Sequence, residues 1–289
     1  MRVDNAIILA AGTSSRFVPL SCERHKALTV VKGDVLIERQ IQQLKEAGIP
    51  QIYIVTGYKA EQFDYLIEKH NVKLIQNSDY LSRNNNGSIW AAKSVLQNSY
   101  VCSSDNYFCA NPFEAEVDDA YYAAEYADDI TTEWCMTEDE EGFIDSVSIG
   151  GNKAWYMFGH TFWSSEFSSR FLKILEIEYN RPETADKLWE SIFMEHLDVL
   201  KMQIKKYSPG IIYEFDTLDE LREFDNSYLV DTRSEIIKRI AATLDTTEEQ
   251  IIHIVPLMKN TIEAIGFEFD CMGNHYSYQF ESGELKKTI

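Results

Sequence analysis

The chain has 289 residues, 45% hydrophobic and 12% aromatic, which is enough to bury the core of one large domain with an added element, or of two modest ones. A formal net charge of −20, from 27 basic and 47 acidic residues, argues against nucleic acid or an anionic membrane surface as a partner. Cys22, Cys102, Cys109, Cys135 and Cys271 lack C-x-x-C spacing and there is no long apolar run, so a soluble cytoplasmic protein with reduced thiols is expected, without a disulfide frame, zinc site or membrane span.

Ala6-Ile7-Ile8-Leu9 is a short apolar run of the kind that forms a buried strand. Ala10, Ala11, Gly12, Thr13, Ser14 and Ser15 follow, a turn so poor in side chains that its N–H groups can approach an anion closely. Arg16 adds a fixed positive fork and Lys26 a mobile point charge ten residues later. Together they describe a phosphate cradle. The apolar spacing of Asp34 to Gly48 predicts an amphipathic helix with a glycine stop, and Ile52 to Val55 a strand ahead of Gly57. A helix over 60–70 and a strand over Val72 to Ile75 complete βαβ units, which require a parallel sheet.

Asn84 to Ser88 reads as a loop and cap before a helix from Ile89 to Leu96. Ser99 to Cys102 is the next strand, and Asp105 lies just past its carboxyl end, where open α/β sheets bind ligands. Ala120 to Ile149 suggests short strands with acidic turns, forming a mixed-sheet acceptor region. Phe158 to Trp163 is a further strand, helices are expected near 166–179 and 183–196, and Ile211 to Asp216 is a strand ending in acid. Beyond Asp225 a helix over 233–244, a capped start at Thr246 to Glu249 and a β-hairpin around Met272-Gly273-Asn274 are expected, outside the sheet core. The expected domains are 1–228 and a C-terminal extension, 229–289.

The string Leu9 to Gly12, Arg16, Pro19 and Lys26 resembles the signature of nucleotidyltransferases, which implies an α/β, Rossmann-like nucleotidyltransferase fold with a mostly parallel central sheet. Ser14 stands where a second glycine is common, a mild departure provided its φ is negative. His25 stands where sugar nucleotidyltransferases carry proline, and reads as a loop residue. Within an acidic chain a triphosphate must be held locally, by backbone amides, Arg16, Lys26 and a divalent ion. Asp105 and Asp216 each end an apolar strand and are the expected Mg²⁺ ligands, as the resemblance also implies.

Gly57-Tyr58, the Asn84-Asn85 pair with Ser88, Asp105-Asn106-Tyr107, Glu133-Trp134, Leu188-Trp189 and Ile212 to Asp216 resemble bacterial CTP:phosphocholine cytidylyltransferases over about residues 6–225. The resemblance implies cytidylyl transfer from CTP to phosphocholine. It places the nucleotide on residues 9–15, Gly57, Tyr58, Asn85, Ser88 and Asp105, with Lys26 and Arg16 catalytic. A quaternary ammonium is bound by aromatic faces and carboxylates. Tyr107, Glu133, Trp134, Trp163, Trp189, Glu190 and Glu214 supply both types and form the expected acceptor cage. A sugar-1-phosphate nucleotidyltransferase using UTP or dTTP, a cytidylyltransferase for phosphoethanolamine or 2-aminoethylphosphonate, and a silent nucleotide-binding scaffold stay open, as does a homodimer. Residues 254–280, with Asn260-Thr261 before the hairpin, resemble a truncated choline kinase N-terminal lobe, although Gln279 stands where that family carries a basic ATP-binding residue. Because every expected site residue precedes Asp225, residues 246–289 are expected to be dispensable for the reaction.

Overall fold

A computed structural model describes residues 1–288. In chain order its first elements are β1 (Asn5–Ala10), α1 (Leu20–Glu23), β2 (Val30–Val31), β3 (Asp34–Val35), α2 (Leu36–Glu46), β4 (Ile52–Thr56), α3 (Tyr65–His70), β5 (Lys73–Gln76) and α4 (Asn85–Ala91). There follow β6 (Ser99–Ser103), β7 (Asn106–Phe108), β8 (Tyr121–Glu138), β9 (Ile144–Trp163), α5 (Ser165–Glu178), α6 (Trp189–Glu195), β10 (Gln203–Lys206) and β11 (Ile212–Glu214). The last are α7 (Leu218–Phe224), α8 (Ser227–Val230), α9 (Glu235–Thr243), β12 (Ile251–Met258), β13 (Ala264–Cys271), β14 (Asn274–Gln279) and β15 (Leu285–Thr288).

The chain divides into two compact units, Met1–Gly12 with Ile37–Glu214, and Thr13–Leu36 with Phe215–Ile289. The first unit is built on a seven-stranded sheet ordered β10-β8-β9-β6-β1-β4-β5. β1 pairs in parallel with both β4 and β6, Ile7 lying opposite Tyr53 and Val101. β1 is interior to the sheet, which is why Ala6, Ile7 and Ile8 read as an unbroken apolar run and are fully buried. β8 and β9 are 18 and 20 residues long and pair antiparallel, where short strands were expected. Bulges near Ala127 and Thr131 break the apolar alternation there, which hides the strand in the sequence. The hairpin also curls onto its own stem: Cys135 is bridged to Ser148 on one side and Tyr156 on the other. Gly151 permits that approach, because a Cβ there would stand 2.7 Å from Cys135 Sγ.

The second unit joins residues 13–36 to the C-terminal quarter of the chain. The extension is a four-stranded antiparallel sheet, β12-β13-β14-β15, and not a lone hairpin. β12 carries Pro256, which weakened its signal as a strand and is tolerated because β12 is an edge. Arg222 is buried and holds this unit together: its guanidinium donates to the carbonyls of Ile251 (2.6 Å) and Glu248 (2.7 Å) and pairs with Asp219 (3.2 Å). The boundary expected after residue 228 therefore falls inside a unit, and residues 13–36 belong with the extension. Tyr228 Oη and Arg233 Nη1 both donate to the Val30 carbonyl at 2.7 Å, and Lys32 N–H donates to Asp225 at 2.7 Å.

Gly57 follows β4 where the chain crosses the end of β1, with Tyr58 N–H donating to the Ala11 carbonyl at 3.0 Å. A Cβ on Gly57 would meet that carbonyl oxygen at 2.8 Å and Tyr80 Cγ at 2.7 Å. Neither a backbone oxygen nor a ring root can swing aside. Gly57→Ala is accordingly expected to cost about 1–3 kcal/mol of stability, the usual penalty of overpacking, read as a lowered urea midpoint; an unchanged midpoint would disprove the close approach.

Candidate active site

In the first unit, β6 ends at Ser103 and the turn to β7 presents Asp105. β7 pairs antiparallel with β11, placing Asn106 opposite Glu214, and the Asn106 amide donates to the Glu214 carboxylate at 3.1 Å. Asp105 and Glu214 thus come together, with carboxylate oxygens within 4.8 Å of each other. Two half-buried carboxylates at strand ends are a hard oxygen donor set, which fits Mg²⁺ better than any softer ion. Glu214 was expected at the acceptor; its place beside Asp105 rests on the β7–β11 register, which the sequence did not reveal.

The second unit holds the two cations. Asp216 lies at the entry to α7, where Thr217 and Glu220 form a capping box: Glu220 N–H donates to Thr217 Oγ1, and the Glu220 carboxylate accepts from Thr217 N–H and, at 2.6 Å, from Asp216 N–H. This fixes the Asp216 backbone, and its carboxylate pairs with Arg16 at 2.7 Å and Lys26 at 3.1 Å. Arg16 is exposed, whereas the Lys26 side chain is only 5% exposed. The T-x-x-E spacing of Thr217 to Glu220 is the sequence signal for this box. His25 plays a structural part, its Nδ1 accepting from Ala27 N–H at 3.1 Å and so capping the short turn that begins at Lys26.

Leu9, Ala10 and Ala11 form the end of β1 and the start of the loop, Gly12 is exposed, and Thr13, Ser14 and Ser15 are half-buried. Ser14 departs from expectation. Its φ is 51° and ψ 48°, the left-handed region in which glycine carries no Cβ penalty.

Several expected ligand-binding residues are turned to other uses. Trp163 is fully buried, packs on Phe167, Phe171 and Trp189, and donates its Nε1–H to Thr161 Oγ1 at 3.0 Å, so it is core and not cage. Trp189 is likewise core, 3% exposed and stacked on Tyr122 at 5.8 Å. Tyr107 is buried with the Arg39 guanidinium 4.5 Å over its ring, a cation supplied by the protein itself. Ser88 is buried, and its hydroxyl accepts from the Asn77 amide at 3.2 Å. Asn85 spans α4 and α6, accepting from Trp189 N–H at 2.6 Å and donating to Glu190 at 2.9 Å. Gly57 and Tyr58 serve the β1–β4 crossing, with Lys59 Nζ 5.1 Å over the Tyr58 ring.

What is left of the aromatic–acid set is Trp134, half-buried on the curled hairpin beside exposed Glu133, and half-buried Glu190. Burial pushes the Glu190 carboxyl up to about 7, against the lowering effect of the Asn85 hydrogen bond. Tyr122, which sequence reading passed over, places its hydroxyl 3.5 Å from Glu190.

Residues 6–111 match the MobA-like NTP transferase domain. The chain is 33% identical to the choline-phosphate cytidylyltransferase of Streptococcus pneumoniae over 220 residues, 76% of this chain and 96% of the relative. It is 31% identical to the 2-aminoethylphosphonate cytidylyltransferase of Lancefieldella rimae over 234 residues, 80% and 95% of the two chains. Among solved structures, the CTP:phosphocholine cytidylyltransferase from S. pneumoniae superposes with a TM-score of 0.73 at 34% identity, over 78% of this chain and 99% of the other. The fold and loop therefore define a nucleotidyltransferase. Within that class, the chain belongs to the cytidylyltransferase family.

The left-handed serine gives a direct test. Relieving it removes about 1–2 kcal/mol of steric strain, while glycine adds roughly 0.5–1 kcal/mol of unfolded-state entropy. Ser14→Gly should therefore raise the melting temperature slightly; a lowered one would mean that the serine side chain makes bonds that outweigh the strain.

Proposed function

We propose that this chain transfers a cytidylyl group from CTP to phosphocholine, giving CDP-choline and pyrophosphate, in the cytoplasm. The observation that carries the reaction class is the Asp105–Glu214 carboxylate pair at the ends of β6 and β11. These two residues would hold Mg²⁺, and Asp216, two residues further along the chain, keeps its sequence-based candidacy as a ligand. When bound, the ion would neutralise charge on the phosphates. The remaining work falls to side chains and backbone. An ionised phosphate acceptor needs no general base, so catalysis reduces to alignment and charge stabilisation. Lys26 would act on the α-phosphate and Arg16 on the departing pyrophosphate, each exchanging part of its pairing with Asp216 for phosphate oxygens.

The acceptor reading rests on Trp134 and Glu133 together with Glu190 and Glu214. An aromatic face and carboxylates suit a head group that cannot donate a conventional hydrogen bond. A primary ammonium, as in 2-aminoethylphosphonate, is the second reading, favoured by the similarity to the L. rimae relative and by the number of carboxylates that could accept from it. Pyrophosphate release with CTP and each acceptor in turn decides between them.

Asp105→Asn and Glu214→Gln should each lower kcat by two or more orders of magnitude with the far-ultraviolet dichroism intact, since a metal clamp contributes several kcal/mol to the transition state. Full turnover in both would end the metal assignment.

Glu190 adds a pH signature. With its carboxyl raised to about 7, its neutral form is favoured in the folded protein. The associated stability is complete below the ordinary glutamate range near 4.3 and is lost as pH rises through about 7. Glu190→Gln should therefore be more stable than the parent at pH 8, the two converging below about pH 4 in melting-temperature profiles. A cationic acceptor prefers the ionised carboxylate, so its KM should fall between pH 6.5 and 8 in the parent and stay flat in the variant. That comparison separates Glu190 from the acceptor's own phosphate, which titrates near 6. Parallel KM profiles would remove Glu190 from the acceptor site.

A further inference from the structure

Thr13 is the first residue of the second unit and the one that enters the left-handed turn at Ser14. Its hydroxyl donates to the Ile262 carbonyl at 2.9 Å, across 249 positions of sequence. Ile262 belongs to the turn between β12 and β13, and that turn is shaped by one side chain. Asn260 Oδ1 accepts from the N–H groups of Ile262 (2.9 Å) and Glu263 (2.8 Å). Lys259 N–H donates to the Glu263 carbonyl at 2.9 Å, and the two side chains pair at 3.0 Å. Further along the same segment, Glu23 accepts from Ile236 N–H at 2.8 Å at the start of α9. Residues 13–36, which carry Arg16 and Lys26, are thus tied to the C-terminal extension at each end and in the middle.

We infer that the Lys259–Glu263 turn is a positioning element for the nucleotide, acting through Thr13 on the loop that precedes Arg16. A loop of small residues binds a polyphosphate through N–H groups that must already point inward, and small residues cannot hold that shape alone. The Ile262 carbonyl supplies the missing restraint by fixing the residue before the strained Ser14. Asn260 is a positioning residue one step removed: it holds the carbonyl that holds Thr13. This runs against the expectation that residues 246–289 are dispensable for the reaction. The inference rests on the reading of the chain as a CTP-dependent enzyme.

The test uses the full chain and reads CTP affinity by titration calorimetry with Mg²⁺ present, alongside KM and kcat. Thr13→Val, which keeps shape and removes the hydroxyl, should weaken CTP binding about tenfold, the worth of one hydrogen bond to a positioned group, and raise KM more than it lowers kcat. Thr13→Ser should restore binding. Asn260→Ala should weaken CTP by a similar factor, and the double variant Thr13→Val/Asn260→Ala should be no worse than the poorer single one, because both act on one contact. If Asn260→Ala leaves CTP affinity unchanged while Thr13→Val weakens it, the hydroxyl serves the nucleotide directly and the inference falls. Multiplicative losses in the double variant, or a lowered melting temperature with unchanged CTP affinity, overturn it equally. A parent that binds CTP but transfers nothing to phosphocholine would defeat the acceptor reading while leaving these affinity comparisons valid.

Discussion

Asp216 accepts from two cations, and the placement of both charges depends on it. Lys26 has almost no exposure, and a buried ammonium without a counter-charge would carry a desolvation penalty of several kcal/mol. The capping box of α7 is what makes Asp216 dependable, because Glu220 takes the backbone N–H groups of both Asp216 and Thr217. His25 does the same for Lys26 by capping its turn. The placement of Asp216 and Lys26 thus rests on backbone hydrogen bonds at or beside each residue.

The first unit works differently. Its carboxylates, Asp105 and Glu214, are set by strand register, β7 against β11, with the Asn106 amide holding Glu214 in place. Glu190 is set by helix-to-helix hydrogen bonding through Asn85 and lies beside the Tyr122–Trp189 stack. Asparagines whose type suits the reading of a base thus serve to orient acids. An amide is well fitted to that role, because it can satisfy a backbone N–H and a carboxylate at once.

The fold was legible where one period or one residue type decides. The apolar run of β1, the helix from Leu36 and the alternation of strands with helices follow from burial on one or both faces, and the Arg16–Lys26 pair follows from chemistry. Partnerships between distant segments were not legible. Nothing in the composition of residues 13–36 says that they pack with residues beyond 214, because many of the contacts engage backbone carbonyls or N–H groups, which nearly any residue offers. The acceptor cage was overread for a related reason. Tryptophan beside glutamate signals a cation site only if the ring face is open, and Trp163 and Trp189 turn theirs to the core. The sign of φ at Ser14 was beyond the residue type, since serine enters the left-handed region only when surrounding structure compels it.

The discontinuous second unit has a consequence for the order of assembly. The curled β8–β9 hairpin is local in sequence and can zip as soon as residues 121–163 are available. The segment bearing Arg16 must instead wait for partners some 190–250 positions downstream, with loop closure opposing each contact until the sheet of β12 to β15 exists. On a ribosome, where domains generally fold as they emerge, this segment would pass most of synthesis without its partners. The charge-bearing loop is therefore made well ahead of the turn that ties Thr13 down, and that restraint forms only once residues 259–263 are available.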